Sequence, residues 1–236
     1  MTLERTKHGW TVLRGGEYLG RVRAEENPYH RTNTYLRFFL SEYDHTLAPA
    51  IFAAIRQDTE KPLQVMTPSG NRALTEFLAA GGFRLARRCF EVTAVPADCA
   101  GLPDGEEPLT CTPEDGGYDA CCRLAYDHYQ ATHGAINPFT GEESTFRAAL
   151  PQEVFYDRRD GEIVALAFVE GQEIAYVWGR SEEEFIPFAA GLLQALFTRG
   201  GEVFFECDDC DRPALWLRSL FPGEAPEESF DTYLYD

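Results

Sequence analysis

Hydrophobic and polar positions repeat along this chain with two different periods, and the switches between them mark its elements. Tyr118, Cys122, Ala125, Tyr126, Tyr129 and His133 recur at spacings of three and four, the signature of one helix face, and Gly134 follows as a C-terminal cap. Phe185, Phe188, Ala189, Leu192, Leu193 and Leu196 repeat in the same way within 182–198, and Arg199-Gly200-Gly201 stops that helix. A weaker helical pattern covers 142–150. Three apolar runs, at 154–158, 163–169 and 174–178, are separated by turns at Asp160-Gly161 and Glu170-Gly171-Gln172, so they read as antiparallel neighbours. Strands at 109–112, 203–206 and 229–235 and a helix at 212–220 complete the order β-α-α-β-β-β-α-β-α-β.

The first half repeats the later part of that order. Strands at 11–13 and 18–23 flank Gly15-Gly16. They are followed by a strand at 34–40, a helix at 47–55, a strand at 63–66, a helix at 71–80 and a strand at 83–95. Local sequence agrees as well: Pro49-Ala-Ile-Phe-Ala-Ala-Ile55 parallels Pro187-Phe-Ala-Ala-Gly-Leu-Leu193, and Asn71-Arg-Ala-Leu parallels Asp211-Arg-Pro-Ala. The proline and the Asn or Asp are 22 residues apart in one copy and 24 in the other, which points to one supersecondary unit used twice. Two generic αβ units with coincident punctuation are the plainer alternative. Between the copies, 96–108 holds three prolines, two glycines and four acids without apolar periodicity, as a linker does. The expected fold is α/β (mixed, of α+β type): a unit at 1–95 and a unit at 109–236, each a mostly antiparallel central sheet flanked by helices.

Charge sharpens the division. Residues 1–95 carry 13 Lys and Arg against 10 Asp and Glu, leaving 8 against 29 in the remainder, so the two parts stand at +3 and −21. A second half this acidic disfavours nucleic acid and anionic membrane surfaces as partners and favours cationic ligands. Residues 1–30 show no basic stretch followed by an apolar one, and no window approaches the roughly 18 apolar residues of a membrane helix. The expectation is a cytoplasmic protein whose seven cysteines are reduced thiols.

The segment 63–91 contains a strand, Asn71 opening a short helix, and Gly82-Phe83 ahead of the next strand. In this it resembles the closing segment of the GNAT superfamily of N-acetyltransferases. The second half resembles the whole domain, and the first half resembles one lacking its first strand and two helices. The resemblance implies acetyl-coenzyme A held in a splay between the fourth and fifth strands, here 174–178 and 203–207. Val177 and Trp178 would meet the pantetheine, Gly179, Arg180 and Ser181 the diphosphate, and Asp211, standing where the closing segment has its Asn, joins the cofactor-binding set. The implied reaction is acetyl transfer to the amine of a small molecule, by a monomer (a pseudo-dimer through duplication) or a homodimer.

Two departures from the family pattern stand out. Where the family has a basic or amide residue and two glycines, this chain has Gly179-Arg-Ser-Glu-Glu-Glu-Phe-Ile-Pro187; the first half has Ser41-Glu-Tyr-Asp-His-Thr-Leu-Ala-Pro49. Three glutamates suit a helix dipole and repel a diphosphate. The family's usual acid, a Tyr seven residues after the Asn, is replaced by Leu78 and Arg218. Proton delivery then falls to Tyr176, Tyr233 or Tyr235. A non-catalytic binding or scaffold protein that keeps the fold and has lost the coenzyme is the second reading.

In the family arrangement the first helix and the loop 134–141 border the acceptor. That makes Tyr126, Tyr129 and His133 the substrate-binding candidates and His128 and His133 candidate bases, aromatic rings beside carboxylates being suited to an ammonium. The same face is otherwise ordinary core. Cys207-Asp-Asp-Cys210 has the spacing of half a zinc site, which Cys121-Cys122 would have to complete; without a second pair at like spacing, no metal is assigned.

Overall fold

The computed structural model describes every residue except 100, 104, 106 and 224–227. In chain order the described residues form β1 (Thr2–Thr6), β2 (Gly9–Arg14), β3 (Glu17–Glu25), β4 (Thr34–Leu40), α1 (Ala48–Thr59), β5 (Leu63–Pro68), α2 (Arg72–Ala80) and β6 (Arg84–Ala94). There follow β7 (Leu109–Cys111), α3 (Tyr118–His133), α4 (Glu143–Ala149), β8 (Glu153–Arg159), β9 (Glu162–Glu170), β10 (Glu173–Gly179), α5 (Glu182–Arg199), β11 (Val203–Asp208), α6 (Arg212–Ser219) and β12 (Phe230–Tyr235). Within the expected linker, Pro96–Asp98 form a 3-10 turn, and residues 100, 104 and 106 lie outside the described residues. Among the described residues no helix is long and apolar enough to cross a membrane.

The chain forms two compact units. One comprises residues 1–88, 134–141 and 228–236, the other 89–133 and 142–227. They cross the sequence-order division into 1–95 and 109–236 because closing strands are exchanged. In the first unit β12 pairs antiparallel with β5, from Phe230↔Pro68 to Tyr235↔Leu63. In the second, β6 pairs antiparallel with β11, from Val203↔Ala94 to Asp208↔Cys89. A strand left unpaired at a sheet edge exposes a row of backbone donors and acceptors, so each unit is completed by the other half of the sequence.

In the first unit β1, β2, β3 and β4 are consecutive antiparallel neighbours. The β2–β3 turn places Gly15 and Gly16 at φ 61° and 92°, the left-handed pair a two-residue hairpin needs. Strand β1 escaped the sequence reading because its segment TLERT is almost wholly exposed and carries no apolar alternation. Its pairing runs from Thr2↔Leu13 to Thr6↔Gly9, and Arg5 binds Asp58 at 2.7 Å and lies 4.5 Å over the Trp10 ring. The first unit thus has the leading strand that the resemblance omits. Its core is a set of edge-to-face rings, Phe52 against Phe38, Phe77 and Phe83 at centroid separations of 5.8, 5.2 and 4.7 Å.

The segment 134–141, after α3, belongs to this unit. Phe139 stacks on Tyr29 at 5.9 Å, the His30 ring Nδ1 donates to the Pro138 carbonyl at 3.1 Å, and the Tyr35 hydroxyl donates to the Asn137 side chain.

In the second unit the sheet runs β6, β11, β10, β9, β8, β7, antiparallel throughout except for β10 with β11. Helix α5 lays Phe185, Phe188, Leu192, Leu193 and Leu196 into a core shared with Val177, Phe205 and Leu217. Both units are therefore mixed α/β, with mostly antiparallel sheets flanked by helices.

Two outcomes follow from this packing. A β-carbon at Gly81, the C-cap of α2, would lie 2.1 Å from a ring carbon of Phe52. Gly81→Ala is expected to cost about 1–3 kcal/mol of unfolding free energy, read by denaturant titration, through overpacking. Fragments 1–95 and 96–236 expressed separately should fail to unfold cooperatively, whereas co-expression should yield a stable one-to-one pair; cooperative melting of either fragment alone would contradict the strand exchange.

Candidate active site

The parallel contact between β10 and β11 in the second unit is short. Strands β10 and β11 are in register only at Glu173↔Phe204 and Ile174↔Phe205. A register irregularity between Ile174 and Tyr176 then marks β10, which continues along β9 alone as far as Gly179↔Ala165, while β11 continues along β6. Bulges of this kind re-aim side chains and end pairing. The first unit repeats the geometry: β4 and β5 are in parallel register only at Thr34↔Leu63 and Tyr35↔Gln64. A cleft of about 410 Å³ there is lined by Tyr35, Phe38, Gln64, Met66 and Phe230, among others.

Past the irregularity, the period-two alternation of β10 sends Val177 into the core under α5 and turns Tyr176 and Trp178 to the other face. On that face a chain of rings assembles. Tyr176 meets Phe146 of α4 at 5.7 Å, Phe146 meets Tyr126 and Tyr129 of α3 at 5.4 and 5.5 Å, and Tyr129 lies against His133 at 4.7 Å. The structure therefore brings the three substrate-binding candidates together with Tyr176. Helical spacing put Tyr126, Tyr129 and His133 on one face; Phe146, on another helix, carried no signal that would select it.

Strand β11 supplies the charge. Cys207 points into the core at 0 % exposure, and Glu206 and Asp208 alternate with it. Burial raises the Tyr176 hydroxyl above the ordinary tyrosine range, and the Glu206 carboxylate raises it further. His133 is 6 % exposed and its Nδ1 stands 3.7 Å from Asp208 Oδ2. One turn earlier on α3, His128 Nε2 donates to Asp211 Oδ1 at 3.1 Å.

The residues assigned to the coenzyme are occupied with one another. Ser181 caps α5, accepting from the Glu184 N–H at 3.4 Å, and its hydroxyl donates to Glu184 Oε2 at 3.0 Å. Arg180 grips the same carboxylate through Nε at 2.9 Å and through Nη2, and reaches Glu162 with Nη1 at 3.1 Å. These bonds hold the Glu184 carboxyl below the usual carboxylate range, Arg180 first among them. A β-carbon on Gly179 would strike Phe185 at 2.8 Å, so this glycine serves the strand-to-helix turn. Trp178 lines a cleft of about 490 Å³ with Arg123, Leu124, Arg158 and Arg180. Asp211 caps α6, accepting from the Ala214 N–H at 3.3 Å. Tyr233 lies in the first unit, where its buried hydroxyl donates to Asp231 Oδ2 at 3.3 Å.

Parallel strands that part company inside otherwise antiparallel sheets, with a helix following each splayed strand, are common to both units. No family model matches the sequence, and no curated protein matches it. Among solved structures, a GCN5-related N-acetyltransferase from Sphaerobacter thermophilus superposes with a TM-score of 0.57 at 13 % identity, over 97 % of this chain and 80 % of that one. A conserved protein of unknown function from Enterococcus faecalis V583, a candidate N-acyltransferase, superposes with a TM-score of 0.52 at 11 % identity, over 96 % of this chain. This chain spans 61 % of that protein, somewhat less than two thirds. The fold is that of the GNAT superfamily.

Proposed function

We propose that the second unit transfers an acyl group, with acetyl-coenzyme A as the donor and the amine of a small molecule as the acceptor. The observation that supports this reading is the parting of β10 from β11 beside a wall of aromatic rings and carboxylates. A strand edge released from its ladder presents N–H and C=O groups to an extended chain of amides, as in β-strand addition.

The residues fit the pantetheine arm better than the diphosphate. The unpaired donors of a helix N-terminus ordinarily serve a phosphate, but on α5 the Ser181 hydroxyl already accepts from the Glu184 N–H, and Glu182 and Glu183 add charge of the wrong sign. Arg180 and Ser181 would reach a phosphate only by releasing Glu184. The bound thioester supplies an activated acyl group.

The chain's own groups divide the remaining work. Tyr176 Oη keeps its proton well above neutral pH and is therefore a donor at the splay. Glu206, whose carboxylate acts on Tyr176, attracts an ammonium and can take its proton. Tyr126, Tyr129 and Phe146 form an apolar wall that excludes water and, through the faces of their rings, favours a cation.

Titration calorimetry with acetyl-coenzyme A tests the donor. Saturable binding is expected, and no heat at millimolar coenzyme would overturn the enzymatic reading in favour of a binding protein on the same fold. Joint replacement of Glu182, Glu183 and Glu184 by Gln should tighten the coenzyme; unchanged affinity would show that these carboxylates do not oppose it. Tyr176→Phe should lower kcat about a hundredfold, the usual order for a lost general acid, with little change in KM. Because the folded-state pKa of Tyr176 is raised, the active protonated form persists as pH climbs, and the alkaline fall of kcat should lie above the ordinary tyrosine value of about 10.

A further inference from the structure

We propose that His133, Asp208 and Cys210 form a binding site for a divalent transition metal, zinc before others, which clips the end of α3 to the turn between β11 and α6. One ligand atom from each residue lies within 4.8 Å of the other two. The inference goes beyond acyl transfer and does not depend on it.

The arrangement around the histidine ring distinguishes a metal site from a catalytic relay. Asp208 Oδ2 is 3.7 Å and Cys210 Sγ 3.9 Å from the same atom, His133 Nδ1. A thiol–imidazole–carboxylate relay needs the two partners on opposite ring nitrogens, so that one gives a proton while the other orients the ring. Here both lie beside one nitrogen, so the three donor atoms are grouped on one side of the ring, where a shared cation could lie between them. A tetrahedral zinc with ordinary bond lengths sets nitrogen to oxygen at about 3.4 Å and nitrogen to sulfur at about 3.6 Å. The two separations at the imidazole exceed these by a few tenths of an ångström, and the third lies within 4.8 Å, so side-chain rotations would close the site.

The donor set is selective. An imidazole nitrogen, a thiolate and a carboxylate suit zinc and its borderline neighbours, whereas calcium and magnesium prefer all-oxygen ligation. Coordination requires the thiolate, so binding displaces the Cys210 proton to solvent. Three protein ligands leave the fourth position to water.

The surroundings favour a cation and hold its ligands in place. Glu206, Asp209 and Asp211 accompany Asp208 on the same strand and turn. His133 is buried against Tyr129, and the Asp208 side chain is 15 % exposed. The His128–Asp211 hydrogen bond already ties α3 to this turn one helical turn away. Cys207 belongs to the hydrophobic core, where burial pushes its thiol up to about 12. The CxxC pattern thus contributes one ligand, and α3, more than seventy residues upstream, contributes another.

Cobalt(II) titration of the full-length, chelator-treated protein tests the proposal. One equivalent should produce a near-ultraviolet thiolate-to-cobalt charge-transfer band and the visible bands of tetrahedral cobalt, both removed by added zinc. Cys210→Ser should abolish the charge-transfer band, and His133→Gln should weaken zinc about tenfold or more by calorimetry. Cys99→Ser, which alters a half-buried thiol elsewhere, should keep the full band. Thermal melts confirm that each variant is folded. Absence of a charge-transfer band in the unmodified protein, or a band that survives Cys210→Ser, would overturn the site.

Discussion

The structure depends on a requirement of sheet edges. Strands β5 and β11 each emerge from a parallel pairing that lasts only two residues, and each needs an antiparallel partner on its other side. Strand β12 supplies one and β6 the other, so each half of the sequence ends in the strand that completes the unit begun by the other half. Ladder hydrogen bonds are local, but the order in which strands take them up is not. With β5 and β11 secured on one side, their neighbours β4 and β10 are free to diverge on the other, and beside β4 and β5 a cleft opens.

What lies where β10 parts from β11 follows from the pleat. Strand β10 shows its core face to α5 through Val177 and its opposite face to α3 and α4 through Tyr176 and Trp178. Strand β11 answers with Glu206 and Asp208 around a buried Cys207. Because the same pleat that builds the core also presents the ring-lined face, the two alternate residue by residue. Burial that stabilises the sheet also holds the Tyr176 proton in place.

The start of α5 shows a competition for one electrostatic resource. A helix N-terminus offers a partial positive charge and unpaired N–H groups to whichever anion arrives. Here the first turn carries its own anions, and one of them, Glu184, is held by the Ser181 hydroxyl and Arg180. The sequence Arg-Ser-Glu-Glu-Glu shows the surplus of acid; which carboxylate takes the position, and that Arg180 is engaged in holding it, is a matter of geometry.

Local periodicity was enough to predict most of the fold. Strands at 163–169 and 174–178, the helices at 118–133 and 182–198, and the hairpin turn at Gly15-Gly16 carry signals that depend on near neighbours, and the corresponding elements are present. The grouping of Tyr126, Tyr129 and His133 was legible for the same reason, since helical spacing alone puts them on one face. Strand β1 was not, because an exposed edge strand is defined by its partner and not by its own alternation. Nor was the exchange of β6 and β12, the addition of 134–141 to the first unit, or the placement of Phe146, Glu206 and Cys210 around the helix face. Those features join residues far apart in the chain. The sequence determined the elements and their order, since these rest on spacings within one turn or one pleat; only tertiary structure decided which strand completes which unit and which side chains share the site, since these rest on contacts between distant segments.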